Sequence, residues 1–190
     1  MQTIMKNIYL ITILAICFCS TSCKKVKEAF DITRPFAISN AITLSKISTV
    51  ERNVPDSIVT ISQPNIPNSL PEEFKKNNVN IDKIKSVTLD SVVFRIKAPA
   101  GQTFSFMKSI KLYIGSAGKG EKLVATKMDI DKIVPAPTVL YLNVQDSDIA
   151  EYIKSNTYDI KMEMSLVKTY TSDILLSSDI KGKVVANPIQ

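Results

Sequence analysis

The stretch Tyr158-Asp159-Ile160-Lys161-Met162-Glu163-Met164-Ser165-Leu166 decides the fold class. Every even position is apolar and every odd one polar. Side chains alternate faces along a strand but recur every ~3.6 residues on a helix, so this stretch reads as a half-buried β-strand.

The flanking sequence reads the same way. Thr138-Val-Leu140-Tyr-Leu142-Asn-Val144 is a second strand, introduced by Pro135 and Pro137. Ile84–Lys97 is a third. Its apolar positions change parity from Val87 and Leu89 to Val92, Phe94 and Ile96, which predicts a bulge near Asp90-Ser91. Shorter strands are expected at Phe36–Leu44, Ser57–Ser62, Ile110–Ile114, Lys122–Met128, Asp173–Leu176 and Lys183–Ala186. Turn residues separate them at Ala100-Gly101, Gly115–Gly120 and Lys181-Gly182. Two short helices are expected. Ser69-Leu-Pro71-Glu72 has the form of a capping box opening Pro71–Asn77. Asp146 or Ser147 would cap Asp148–Ser155, with Ile149, Tyr152 and Ile153 as its apolar stripe. About nine strands without βαβ alternation predict a mainly β fold. The expected form is an antiparallel β-sandwich, immunoglobulin-like or similar, with one or two short helices.

The chain has 190 residues, with 24 Lys and Arg, 18 Asp and Glu, three Cys, and neither His nor Trp. Lacking His, it cannot use Ser-His-Asp or Cys-His catalysis or a His-containing zinc site. Its three Arg (Arg34, Arg52, Arg95) are scattered, which argues against a nucleic-acid face.

The N-terminus sets the expected compartment. Lys6 precedes the uncharged run Ile8–Phe18, too short for the ~20 residues of a bilayer-spanning helix. Small residues Ser20-Thr21-Ser22 follow, then Cys23. A basic start, a short apolar core and small residues form a secretory signal peptide. Ser20-Thr21-Ser22-Cys23 resembles the lipobox of bacterial lipoproteins, with Ser20 where Leu is usual. That resemblance implies a lipid on the Cys23 thiol and cleavage before it. The expected division is residues 1–22 as signal peptide, 23–29 as lipidated cysteine and tether, and 30–190 as a single sandwich domain. A split near Gln63–Asn80, where Pro64, Pro67 and Pro71 cluster, is the alternative. Removing 22 of 190 residues leaves 168 and changes the net charge from +6 to +5, because Lys6 is lost. Cys17 and Cys19 leave with the signal, so the mature chain can form no internal disulfide. Two or more acyl chains anchor stably where one does not. Neither an Asp directly after Cys23 nor an acidic cluster follows it, since Lys24, Lys25 and Lys27 do. By the same resemblance this implies the outer membrane, facing the periplasm, with the cell surface as the alternative.

Polar clusters in the mature chain carry weak signals. A neutral lysine can activate serine without histidine, and Ser105…Lys108, Ser116…Lys119, Ser165…Lys168 and Ser178…Lys181 have that spacing. For 19 Ser and 21 Lys this is near background, and the partner motifs of penicillin-binding enzymes are missing. Gly115–Gly120 lacks the Gly-Lys-Ser/Thr order of a phosphate loop and reads as a hairpin turn. Asp129-Ile-Asp131 and Asp146-Ser-Asp148-Ile-Ala-Glu151 could offer oxygens to Ca²⁺, but neither has the Gly-containing loop of a calcium motif, and Asp146, Asp148 and Glu151 suit a helix's first turn better. Tyr113, Tyr141, Tyr158 and Tyr170 are the expected exposed aromatics, and the lack of Trp counts against a sugar platform. The sequence assigns no catalytic, metal-ligating or cofactor-binding residue and no cofactor.

From about Ile84 to Ala186 the chain resembles small lipoproteins of Bacteroidota. The carrying residues are Val87-Thr-Leu89-Asp-Ser-Val92, Phe106-Met-Lys-Ser-Ile110-Lys-Leu-Tyr-Ile114, Lys122-Leu-Val-Ala-Thr126, Leu140-Tyr-Leu142 and Asp148-Ile-Ala-Glu-Tyr-Ile153. This resemblance implies no activity. More faintly, the chain is similar to water-stress sandwich domains, which implies an apolar ligand. The expected function is therefore a non-enzymatic, lipid-anchored binding or structural module of the cell envelope. Its expected partners are the membrane, through the Cys23 lipid, and an envelope protein or apolar ligand. A periplasmic carrier of lipid and a serine–lysine hydrolase are the alternatives.

Overall fold

The structure, a computed structural model, describes residues 31–47, 57–76, 80–145 and 148–187. Cys17, Cys19 and Cys23 lie outside the described residues, and with them the expected signal peptide and lipidation site. Asp146 and Ser147 do too.

Eight strands are seen: β1 (Ile32–Leu44), β2 (Ile58–Pro67), β3 (Ile84–Ala98), β4 (Met107–Ser116), β5 (Lys119–Lys127), β6 (Val139–Val144), β7 (Thr157–Leu166) and β8 (Ile174–Ala186). Two short helices accompany them, α1 (Leu70–Lys76) and α2 (Ala150–Ile153). The strand order is β1-β8-β3-β6-β5-β4-β7-β2, with every pairing antiparallel. The chain behaves as one long hairpin with its tip between β4 and β5. Backing away from that tip, β3 lies on β6, β2 on β7 and β1 on β8. Rolling this ribbon up adds β3 on β8 and β4 on β7, giving two four-stranded sheets. That is the connectivity of a jelly roll, so within the antiparallel sandwiches this one is not the immunoglobulin type. The sheets meet along β6. Val139–Leu142 pair with β3, whereas Asn143 and Val144 pair with Thr126 and Ala125 of β5. A strand that changes sheets makes a corner.

The alternation read from sequence places the core. Met162, Met164 and Leu166 of β7 are buried, as are Ile110, Leu112 and Ile114 of β4. They face Val92 and Phe94 of β3 and Leu140 and Leu142 of β6 in one cluster that also holds Leu70 and Phe74 of α1. The bulge expected near Asp90-Ser91 is present, between Leu89 and Ser91. It lets both halves of β3 keep their apolar side chains inward.

Three expectations are corrected. Lys181-Gly182 is no turn. The two short strands expected on either side are one strand, β8, which makes eight strands rather than nine. Its inward positions run unbroken through Gly182, which pairs with Phe36 on one side and Leu89 on the other. A Cβ there would come within 2.4 Å of the Thr88 carbonyl oxygen and 2.7 Å of the Phe36 ring. The glycine serves close approach inside a strand, not chain reversal. Second, β2 runs on past Ser62 to Pro67, through a bulge with Asn65 at φ 55°. A terminal strand tolerates Pro64 and Pro67 because its outer N–H groups need no partner. Third, α2 is shorter than Asp148–Ser155. Asp148 stands ahead of it, its Oδ1 accepting from Ala150 N–H at 2.9 Å and Val87 N–H at 2.8 Å. Similarly, α1 begins under Asn68, whose Oδ1 accepts from Leu70 N–H at 3.1 Å.

Candidate functional site

Three places hold chemistry. The first lies between the sheets, toward the start of β1. Phe36 and Ile38 of β1, Leu89 of β3, Leu112 and Ile114 of β4 and Ile180 of β8 line an apolar pocket of about 40 Å³. Ile149, just ahead of α2, and Ile153 within it close over it. Its polar groups are Asn40, exposed on β1, and the buried Tyr158 of β7. Burial pushes the Tyr158 hydroxyl pKa up, and a hydrogen bond from the Asn40 side chain partly opposes this. The space holds one or two waters' worth of volume, far less than an acyl chain needs.

The second is the outer face of the β5-β4-β7-β2 sheet. Lys161 Nζ binds Glu163 Oε1 at 3.1 Å, contacts Glu121 Oε2, and sits 4.5 Å from the centre of the Tyr113 ring. Tyr113 O–H donates to Glu163 Oε2 at 3.1 Å. The hydrogen bond from Lys161 holds Glu163 below its ordinary pKa, and the two glutamates hold Lys161 above its own. Burial, then Glu163, raise Tyr113. These are cross-strand neighbours (Tyr113 opposite Lys161, Lys111 opposite Glu163), each satisfying the next. Such pairs stabilise a sheet, and this cluster leaves no acid or base unspent for chemistry.

The third lies toward the other end of the molecule, roughly 13–26 Å further along β1 from the Phe36–Asn40 stretch to Leu44. The β3–β4 and β7–β8 loops enclose a polar, open pocket of about 350 Å³ lined by Gln102, Thr103, Ser105, Lys168, Thr169 and Thr171. Its floor is fixed. Phe104 and Phe106 are fully buried, and the Phe106 and Tyr170 rings pack 4.9 Å apart. Val167 N–H donates to Phe106 O at 2.9 Å, tying one loop to the other. Thr103 O–H donates to Ser105 Oγ at 3.1 Å. Hydroxyls, an amide and one lysine suit a small polar ligand.

The serine–lysine spacings fare unevenly. Ser178 faces the interior, where its hydroxyl donates to Asn40 O at 3.4 Å, whereas Lys181 is exposed. Lys119 donates to Glu151 O at 2.6 Å. The structure instead brings together Ser105 and Lys168, which belong to two different spacings. Only the folding of two loops creates that neighbourhood, so no spacing in the sequence could show it. Among the aromatics, Tyr141 is 65% exposed, as expected, but Tyr158 and Tyr170 are buried. Tyr158 takes an inward place in the alternation of β7, whereas Tyr170, in the β7–β8 loop, is buried by packing on Phe106. Asp148 is occupied by two backbone amides, and Asp129 is held low by Lys132 at 2.6 Å. Among the described residues no group of His, Cys, Asp and Glu is placed to hold a metal ion, and no helix is long and apolar enough to cross a membrane.

No protein-family model matches the chain, and no curated protein matches it. Among solved structures it is similar to the decameric BFDV capsid protein, at 9% identity and a TM-score of 0.34, over 82% of this chain and 99% of that one. It is also similar to a carbohydrate-binding module of the β-sandwich superfamily, at 9% identity and a TM-score of 0.32, over 83% of this chain and 55% of that one. Turnip yellow mosaic virus gives 8% identity and a TM-score of 0.26, over 81% and 82%.

Proposed function

We propose that this protein is a lipid-anchored module of the cell envelope, held by Cys23 at the outer membrane and facing the periplasm, and that it binds or scaffolds rather than catalyses. One observation carries the reading: a basic start, a short apolar run and Ser20-Thr21-Ser22-Cys23 stand ahead of a domain whose described residues contain no cysteine. The tether from Cys23 to Asp31 can reach at most ~28 Å, so the start of β1 stays near the bilayer. The polar pocket, at the other end of β1, then points away from the membrane. Incorporation of labelled palmitate tests the anchor. Label is expected on the wild-type chain and not on Cys23→Ala, and an unlabelled wild-type chain rejects it.

The apolar pocket supports a second reading, a carrier of an apolar ligand. At about 40 Å³ the pocket must widen to admit one, and the half-buried Ile38, Ile160 and Ile180 mark where it would open. Native mass spectrometry of the purified protein tests this reading. A co-purifying lipid supports it, and a bare chain after gentle extraction rejects it.

A further inference from the structure

We infer that the polar pocket between the β3–β4 and β7–β8 loops binds a small hydroxylated anion, a carboxylate or phosphate carried on a polyol, with Lys168 as its charge partner. At about 350 Å³ the pocket falls within the range of small-molecule sites, about 300–1,000 Å³. The inference names a ligand class for a binding module, so it rests on that reading of the domain. It does not depend on the anchor.

Charge selects the class. Among the described residues, Lys168 is the one charged side chain that lines the pocket. Lys85, Lys119, Lys132, Lys161 and Lys183 each meet a carboxylate. Lys168 meets none among the described residues, and no acceptor there takes up its ammonium protons. Asp173, the acid in the same loop, is spent on Lys46 N–H at 2.8 Å. An ammonium with no acid beside it repels a cation and draws an oxyanion, to which it makes a charge-assisted hydrogen bond.

The neutral groups select the scaffold. The hydroxyls of Thr169 and Thr171 have no hydrogen-bond partner among the described residues. Thr103 O–H is spent on Ser105 Oγ, which leaves the Ser105 proton for another acceptor. Gln102 gives one Nε2 proton to Thr103 O at 2.8 Å and keeps its second proton and its Oε1. Groups that both give and take hydrogen bonds match ligand hydroxyls, which do the same. The walls that carry them are already in place. Phe104 N–H donates to Pro137 O at 2.8 Å and holds the β3–β4 loop, and Ile47 N–H donates to Tyr170 O at 3.1 Å and holds the β7–β8 loop. A preformed site avoids the cost of ordering loops on binding.

Calorimetric titration of the full chain in a non-ionic detergent tests this, with glucuronate, glucose 6-phosphate and glucose as the probes. The wild-type chain is expected to bind one of the two anions saturably, at millimolar concentration or below, and at least about tenfold tighter than glucose. Which anion binds tells a carboxylate from a phosphate. Lys168 is exposed, so Lys168→Ala should keep its melting transition while weakening that anion at least about tenfold. Lys168→Arg should retain most of the affinity. Lys181→Ala removes the same charge from an exposed place on β8 and should change nothing. A wild-type chain that binds none of the three probes overturns the inference, and so does a Lys168→Ala chain that binds the anion as the wild type does. Glucose bound as tightly as the anions also overturns it, but leaves the domain a binding module.

Discussion

The two ends of the space between the sheets are sealed to different degrees. At the end bearing the β3–β4 and β7–β8 loops, Leu44, Phe104, Phe106, Met107, Leu166, Ile174 and Leu176 are all wholly buried. At the other end Phe36 is buried but Ile38, Leu89, Ile160 and Ile180 are only partly so, and a pocket remains among them. The strands themselves do not explain this, since the inward strand residues are mainly apolar at both ends. What differs is the plug. The sealed end receives Phe104, Phe106 and Tyr170 from its loops, each ring filling the gap that the twist of two sheets opens. At the slack end Phe74 of α1 packs on Phe36 with ring centres 6.2 Å apart, but the pocket itself is closed by Ile149, just ahead of a one-turn helix, and by Ile153 within it, and the exposed, polar Asn40 lines it from β1.

The largest effect is expected where the plug is aromatic. Phe106→Ala removes a fully buried ring packed on Tyr170 and should cost about 3–5 kcal/mol in urea unfolding. Ile180→Ala at the slack end should cost about 2 kcal/mol or less, because its surroundings are open and can collapse. Equal losses would break the comparison.

Next comes the boundary of the slack end. Gly182→Ala thrusts a methyl group toward the Thr88 carbonyl and the Phe36 ring. The ring can retreat into the pocket, but the carbonyl belongs to the neighbouring strand and cannot. A loss of about 1–3 kcal/mol is expected. Phe36→Leu in the same chain should restore part of it, not all. Full restoration would show that the ring alone enforces the glycine.

How far the sequence foretold these features depends on the range of the interaction. Period two in Tyr158–Leu166 and the parity change across Asp90-Ser91 are local and were legible, because side-chain direction is fixed within a strand. Gly182 misled because a glycine beside a lysine looks the same whether the chain turns or an aromatic ring from another strand lies over it. The partner that decides, Phe36, is 146 positions away in sequence. The capping oxygens show the same limit on a smaller scale. Asp148 reads as a helix-initiating acid, yet it also accepts from Val87, which only the folded β3 supplies. The polar pocket was illegible for this reason: Ser105 and Lys168 meet only after two hairpin ends converge.

A smaller effect, of opposite sign, would sharpen the comparison. Val124 is buried and lines the slack pocket. Val124→Ile adds one methylene to space that already exists, so it should stabilise by up to about 0.8 kcal/mol. A well-packed core would instead lose stability on the same change. A lower melting temperature for Val124→Ile would mean that the pocket is not there in solution.

The smallest effects are ionic, and β7 carries them on its two faces. Inward, burial raises the Tyr158 pKa. The folded chain then keeps its proton where the unfolded one, with a tyrosine pKa of about 10, releases it. Its contribution is whole below that pH and is lost as pH rises through the raised value. Outward, Glu163 is lowered by Lys161, so its contribution is present above the unfolded carboxylate pKa of about 4.3 and lost as pH falls through the lowered value. Lys161, raised by Glu121 and Glu163, loses its contribution on the alkaline side. Urea midpoints followed against pH should thus separate the faces. Tyr158→Phe should flatten the alkaline limb but leave the part due to Lys161 and Tyr113, and Glu163→Gln should flatten the acid limb by less, since water still reaches and screens the half-buried pair. If Glu163→Gln moved the curve more than Tyr158→Phe, the stability that responds to pH would reside on the solvent face of the sheet rather than at the slack end of its core.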